Sequence, residues 1–308
     1  MDATLLARRA ILSLFLNPTV AGAAQRYGMK LGALRFIAGA ERADAIAAVR
    51  RLNEKGIAAT LDYLGESVTR PEEAEATVRE YVELLGDIHR AGVDSNVSIK
   101  LTAMGLAIDA DLALAGARRL VQEAARLGNF VRIDMEDTPW TDATLRIYRT
   151  LRAEGLDNVG VVIQAYLYRS EKDLEDLAAL GANVRLCKGA YKEPPDRAFP
   201  DKAQVDANYL KLAARRLRSG LYTGFATHDE RAIAFVKEEA RRLGLGRDRF
   251  EFQMLYGIRG DLQEQLVREG YRVRVYVPYG TQWYPYFVRR LAERPANVAF
   301  VLRNILRG

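Results

Sequence analysis

Phe130-Val-Arg-Ile-Asp-Met135 and Val159-Gly-Val-Val-Ile-Gln164, separated by a helix-patterned run from Asp142 to Glu154, decide the fold. Both short runs are rich in β-branched residues; Val159–Gln164 is almost continuously apolar, as a strand buried on both faces must be, and the 130–135 run is apolar apart from Arg132 and Asp134. Strands that follow one another in parallel need a helical crossover, and the run between these two has the length and 3.6-residue spacing to supply one. The same β-then-α unit recurs in both directions. Toward the N-terminus, Val97-Ser-Ile-Lys-Leu101 precedes a helix over Ala110–Leu127, and Ile57 to Leu64 precedes one over Pro71–Ala91. Toward the C-terminus, Val184-Arg-Leu-Cys-Lys188 leads to a helix over Asp201–Ser219, and Tyr222 to His228 to one over Glu230–Leu243. Phe250 to Met254 leads to a helix over Leu262–Glu269, and Val273 to Val277 to one starting near Tyr284. After the fourth strand, Ser170 is expected to cap a short helix, with Asp173 completing a capping box. These repeats predict an α/β fold, a (βα)8 barrel over residues 46–308 preceded by an N-terminal helical arm over 1–45. An open doubly wound sheet is the alternative. No Gly-x-Gly-x-x-Gly follows a strand, so a dinucleotide-binding unit gains no support.

The chain has 308 residues, 49% hydrophobic and 28% charged, with net charge +6 and one cysteine, Cys187. That is the composition of a globular protein large enough for one big domain. Its basic residues are scattered among acids, which argues against nucleic acid as a partner. One cysteine and two histidines exclude an intrachain disulfide and leave little from which to build a zinc site. A reducing, cytoplasmic setting is expected. Residues 11–16 form an apolar run after two arginines, but it is short and lacks a small-residue cleavage pattern. Residues 1–45 are therefore read as short amphipathic helices. They are available for core packing, self-association or contact with a membrane surface.

Barrel sites form where the strands end at their C-termini, and unusual polar residues collect there. Asp62 and Glu66 follow strand one, Lys100 lies on strand two, Asp134 on three and Gln164 on four. Arg185 and Lys188 lie on five, His228 at six, Gln253 on seven and Tyr276 on eight. Singly, each has a structural explanation; His228 before Asp229, for example, could cap the next helix. Buried charges are costly unless they share a polar pocket, so their recurrence on every strand points to one. Beyond the last strand, Tyr284-Pro-Tyr-Phe-Val-Arg-Arg-Leu-Ala-Glu293 reads as a helix with Pro285 in its first turn. Tyr286, Arg289 and Arg290 then share one face. The arginines either pair with Glu293 on a surface helix or form a fork for a small carboxylate or phosphate. Lys100, Arg185, Lys188, Arg289 and Arg290 outnumber Glu66 and Asp134, the two acids counted against them, and the excess favours an anionic ligand.

Taken together, several segments resemble the proline dehydrogenase flavoenzymes. They are Leu61-Asp-Tyr-Leu-Gly-Glu66, Ser98-Ile-Lys-Leu-Thr102, Ile133-Asp-Met-Glu-Asp137 and Val162-Ile-Gln-Ala-Tyr-Leu167. Val184 to Tyr191, Phe225-Ala-Thr-His-Asp229, Phe250 to Gly257 and Tyr286 to Glu293 continue the match, which runs from about residue 57 to the end. Arg-Leu-x-Lys-Gly-Ala-Tyr with a terminal Tyr-x-x-Arg-Arg is a specific combination.

The resemblance implies a distorted barrel carrying FAD and oxidation of L-proline to Δ1-pyrroline-5-carboxylate by hydride transfer to the flavin. On it, Arg289 and Arg290 hold the proline carboxylate with Lys100 as a third cation, and Glu66 pairs with Arg289. Tyr276 and Leu255 shape the substrate pocket, Tyr286 crowds the ring, Asp134 orients Lys100, and Glu293 orients the arginines. Arg185 stands near the flavin ring. Gln164, Lys188, Gly189, Ala190, Tyr191, Thr227, His228 and Gln253 line the cofactor, with Gly189 letting the backbone approach it. The resemblance also implies a membrane quinone as electron acceptor, reached by a peripheral contact at the inner face of the membrane. It further implies a separate pyrroline-5-carboxylate dehydrogenase acting on the product. A second enzyme class on the same barrel would use Lys100, with a depressed pKa, to form a Schiff base. A non-enzymatic carboxylate-binding barrel would keep the arginine fork but have no use for Arg185.

Overall fold

The computed structural model describes residues 33–66 and 68–293. Eight strands close a parallel barrel in sequence order: β1 (Ala58–Tyr63), β2 (Ser95–Ile99), β3 (Val131–Ile133), β4 (Val159–Gln164), β5 (Val184–Cys187), β6 (Thr223–Ala226), β7 (Phe250–Leu255) and β8 (Arg272–Tyr279). Closure is carried by the β1–β8 seam, in register from Ala58 opposite Arg274 to Tyr63 opposite Tyr279. An open sheet is therefore excluded. The strands are joined by α2 (Pro71–Ala91), α3 (Ala110–Arg126), α4 (Thr138–Ala153), α5 (Ser170–Ala179), α6 (Lys202–Ser219), α7 (Glu230–Arg242) and α8 (Gly260–Arg268), with α1 (Arg42–Asn53) ahead of β1 and α9 (Tyr284–Glu293) after β8.

Local chemistry sets these boundaries. Pro71 opens α2, where its missing amide donor costs nothing; Glu72 and Glu73 follow in the first turn, and Gly92 ends the helix at φ 61°. The expected capping box at Ser170 is not made. Arg169 occupies the cap position, Asp173 pairs with Arg169 at 2.7 Å, and Ser170 Oγ donates to the Gln164 carbonyl at 2.5 Å. A buried hydroxyl one turn from a strand end satisfied that carbonyl instead of the helix amides. Lys100 and Asp134 stand one residue beyond β2 and β3 rather than on them.

Helix-facing residues such as Leu61, Val97, Ile133, Val161 and Phe252 are fully buried in one continuous core. The barrel interior is polar. Thr60 and Ser98 hydroxyls meet at 3.0 Å, Arg132 donates to the Asn183 carbonyl at 2.8 Å, and Glu251 pairs with Arg274 at 3.0 Å. Burial holds the Arg132 guanidinium down to about 9. Small residues make room for this filling: a Cβ on Gly224 would collide with the Gln253 amide.

Residues 1–32 of the expected helical arm lie outside the described part. The rest of it departs from the expectation. Residues 33–41 form a 3-10 turn (Ala33–Arg35) and an extended strap, and α1 runs through the expected boundary at residues 45 and 46 with Ala45, Ala48 and Val49 buried.

Candidate active site

The candidate substrate and cofactor residues from Glu66 to Arg290 line one cavity of about 370 Å³ at the C-terminal mouth of the barrel, while Asp62 lies behind it, against Lys100. Met135, Val162, Cys187, Ala226 and Met254 complete its wall. They had no distinguishing mark in the sequence, because an apolar residue at a strand end reads as core.

One side is a network of charges. Lys100 Nζ donates to Asp62 Oδ1 at 2.8 Å and to Tyr276 Oη at 3.0 Å, and Asp134 Oδ2 lies 3.6 Å away. Tyr276 in turn donates to Asp134 at 2.7 Å. Arg185 donates to Asp134 at 2.6 Å, to Ser98 Oγ at 3.0 Å and to Gln253 Oε1, and its guanidinium lies 5.3 Å from the Tyr276 ring centre. All of these side chains are buried except Tyr276, which is half-buried.

Asp62 changes the charge balance expected from the sequence. It is not one of the two acids weighed against the five cations, yet it is the closest acid to Lys100 among the described residues. Burial pushes its carboxyl up to about 6, with Lys100 opposing the rise and Asp134 adding to it. Burial works against the Lys100 charge too, but Asp62 and Asp134 outweigh it and hold that ammonium well above its ordinary pKa. Lys100 is therefore a fixed, paired cation, which removes the basis for a Schiff-base lysine. Asp134 sits closer to Arg185 and Tyr276 than to Lys100, so its main work is on those two.

Lys188 is likewise neutralised, by Asp206 and Asp229 at 2.6 Å each. The expected excess of five cations over two acids thus does not hold, because each of the named partners brings its own negative charge. The α9 helix places Tyr286, Arg289 and Arg290 on the cavity side. Arg289 reaches Glu66 at 3.2 Å while keeping 38% of its side-chain exposure, and Arg290 packs over the Tyr286 ring with its guanidinium carbon 4.9 Å from the centroid. Arg290 and Tyr286 are buried. The Glu293 side chain lies outside the described part.

The opposite wall comes from β4 to β7. Gln164 donates to the Glu136 carbonyl at 2.9 Å. His228 accepts the Leu255 amide at 3.0 Å, while the α7 cap is made by Asp229, which accepts from Arg231 N at 3.0 Å. Thr227 Oγ1 accepts from the Asp229 amide at 3.0 Å. Burial raises the Tyr191 phenol, and pushes the Cys187 thiol up to about 12, which makes it a wall and not a nucleophile. A second constraint, besides the expected approach to a ligand, acts on Gly189. Its φ is +123° and a Cβ there would lie 2.3 Å from the Tyr166 ring, so a neighbouring side chain, not only a ligand, demands the missing atom.

The family model described as Proline dehydrogenase matches residues 45–303. The chain is 48% identical to a protein of Deinococcus radiodurans named Proline dehydrogenase, covering 98% of each. It is 46% identical to Proline dehydrogenase 1 of Bacillus subtilis, over 97% of this chain and 99% of that one. Among solved structures it resembles proline utilization A (PutA) from Bdellovibrio bacteriovorus, inactivated by N-propargylglycine. The TM-score is 0.82 at 27% identity, over 95% of this chain and 35% of that much longer one.

Proposed function

The chain belongs to the proline dehydrogenase family, and from that premise we propose that it oxidises L-proline to Δ1-pyrroline-5-carboxylate with FAD as its cofactor. This is the first step of proline catabolism. The observation that carries the proposal is the convergence of Arg289 and Arg290, from the last helix, with Arg185 and the Lys100–Tyr276–Asp134 network in one cavity.

Arg289 and Arg290 bind the proline carboxylate, since two guanidiniums offer paired donors that match both oxygens. Glu66 accepts from one nitrogen of Arg289 at 3.2 Å and would help to orient that guanidinium toward the carboxylate. Tyr286, Tyr276 and Leu255 confine the ring. Lys100, locked between Asp62 and Tyr276, adds a positive field without a proton to accept. Asp134 positions both Arg185 and Tyr276.

The cavity fits a flavin chemically. Met135, Val162 and Ala226 supply an apolar wall, Gln164 and Gln253 supply polar edges, and the 188–191 run and His228 supply backbone and ring contacts. A bound FAD would supply a hydride acceptor, and Arg185, held by Asp134 and Gln253, would place a cation suited to the charge of its reduced form. Passing the electrons to a membrane quinone needs a docking step. Among the described residues no helix is long and apolar enough to cross a membrane, so we assign that contact to the surface, at the inner face. The product is proposed to pass to a separate pyrroline-5-carboxylate dehydrogenase. With α1 packed on the barrel, we include it and the strap in the barrel domain.

The test is direct. Purified protein should be yellow, and its flavin absorbance should bleach when L-proline is added without air. Protein that is colourless and cannot be reconstituted with FAD would overturn the proposal.

A further inference from the structure

The helix α9 carries the arginine fork, yet among the described residues its backbone runs close to no barrel strand or helix over more than a residue or two. Something else must hold it. Trp283 and the apolar residues Tyr284, Phe287 and Val288 of α9 form a cluster, separate from the main core, with Ala33, Phe36 and Ile37 from residues 33–41 and with Leu64 just after β1. Phe36 and Ile37 are fully buried. The Phe36 and Phe287 rings lie 6.2 Å apart, and Trp283 stacks edge-on against Phe287 at 5.6 Å.

The strap is itself anchored to the barrel mouth. Ala38 N donates to the Pro278 carbonyl at 2.9 Å, and Gly280 N donates to the Gly39 carbonyl at 3.0 Å, both at the end of β8. On its other flank the Arg35 carbonyl rests against Gly257, in the loop after β7. A Cβ on Gly257 would fall 1.7 Å from that oxygen, and its φ of +72° independently favours glycine. Ile258, from the same loop, joins the cluster, and Leu255 of the cavity wall packs against it.

We propose that Phe36 and Ile37 are positioning residues for substrate binding: the strap sets where α9 places Tyr286, Arg289 and Arg290. This rests on the assignment of α9 to the proline carboxylate made above. Two guanidiniums bind one carboxylate only in a narrow range of placements, and a helix linked to the barrel by a short turn would drift without the aromatic contact. Of the β4–β7 wall, only Leu255 packs against this cluster among the described residues, so the cofactor contacts assigned to Gln164, Lys188 and Gln253 should be little affected by it.

Phe36→Ala should raise KM for proline roughly 10-fold, given that ~1 Å of misplacement can cost ~100-fold, while kcat and flavin content stay within about twofold. Phe36→Leu should restore most of the loss. If Phe36→Ala does not fold, Phe36→Leu and Ile37→Val give the same reading at smaller scale: KM moves and flavin content does not. An unchanged KM in the folded variants, or flavin content falling together with KM, overturns the proposal. Arg289→Met, measured alongside, separates the two layers. If it raises KM and Phe36→Ala does not, only the strap fails; if Arg289→Met leaves KM unmoved, the carboxylate assignment fails first.

Discussion

Wedged between the Lys100 ammonium and the Tyr81 phenol, Asp62 carries a charge in a site with almost no exposure. Its raised pKa, about 6 against an ordinary 3.8, has a stability consequence with a definite sign. The folded state holds the proton more tightly than the unfolded chain does. The group's contribution is therefore fully present below about pH 4 and is lost as pH rises to about 6, a change of ~3 kcal/mol by linkage. Asp62→Asn removes that dependence. Its melting temperature relative to wild type should move upward between pH 4 and 6 and run parallel above that range. Curves parallel throughout would mean that Asp62 titrates as an ordinary carboxylate. At the fork, Arg289→Met should weaken proline binding by about 2 kcal/mol with flavin retained. That is the lower end for truncating one partner of a charge pair, because this guanidinium is more than a third exposed. The fork and Glu66 were legible as residue types at spacings. Asp62 was visible too, but which acid sits nearest Lys100 depends on side-chain reach across the barrel, which no spacing encodes.

At the scale of the element, the turn after β5 is the most constrained piece of the cavity wall. Gly189 meets the Tyr166 ring, whose hydroxyl bonds Glu193 at 3.3 Å, and Glu193 also accepts from Thr138 N at 2.8 Å at the start of α4. Gly189→Ala must shift the ring or the backbone from φ +123°. It should cost ~1–3 kcal/mol of stability and yield protein with reduced flavin. A variant with full flavin and unchanged melting would show that the turn is softer than its packing implies. The helix α9 shows what an amphipathic pattern leaves open. Its face and its proline-marked start were readable from Tyr284 to Glu293, whereas the surface it packs on is the strap, more than 240 positions earlier in the chain.

Across the whole molecule, closure depends on a seam between the first and last strands. Arg274 on β8 bonds Glu251 on β7 at 3.0 Å and the Ala59 carbonyl on β1 at 2.6 Å, spanning three neighbouring strands inside the barrel. Burial pushes the Glu251 carboxyl up, but Arg274 and Gln253 prevail and hold it below its ordinary range. Arg274→Met would leave the buried Glu251 carboxylate without its guanidinium, with Gln253 and Tyr222 still donating to it, at a cost of about 3 kcal/mol, the lower end for breaking a buried pair. A denaturant midpoint unchanged in that variant would mean that the backbone register alone closes the seam. Residues 1–16 lie outside the described part. Their removal is expected to leave flavin reduction by proline intact and to change association, measured by light scattering.

The eight β-then-α units and the residue types at the strand ends were determined locally, whereas closure into a barrel rather than an open sheet was decided by the β1–β8 seam. Strand and helix periodicity act within a dozen residues, and parallel connection forces the crossovers. The charge state of the cavity was decided only by the tertiary structure, which brought Asp62 onto Lys100 and placed Asp206 and Asp229 around Lys188. The support of α9 was decided in the same way. Both depend on contacts between segments far apart in the chain. A pairing energy falls off over a few ångströms, so only the folded distances reveal which of several opposite charges, or which of several apolar faces, a residue meets.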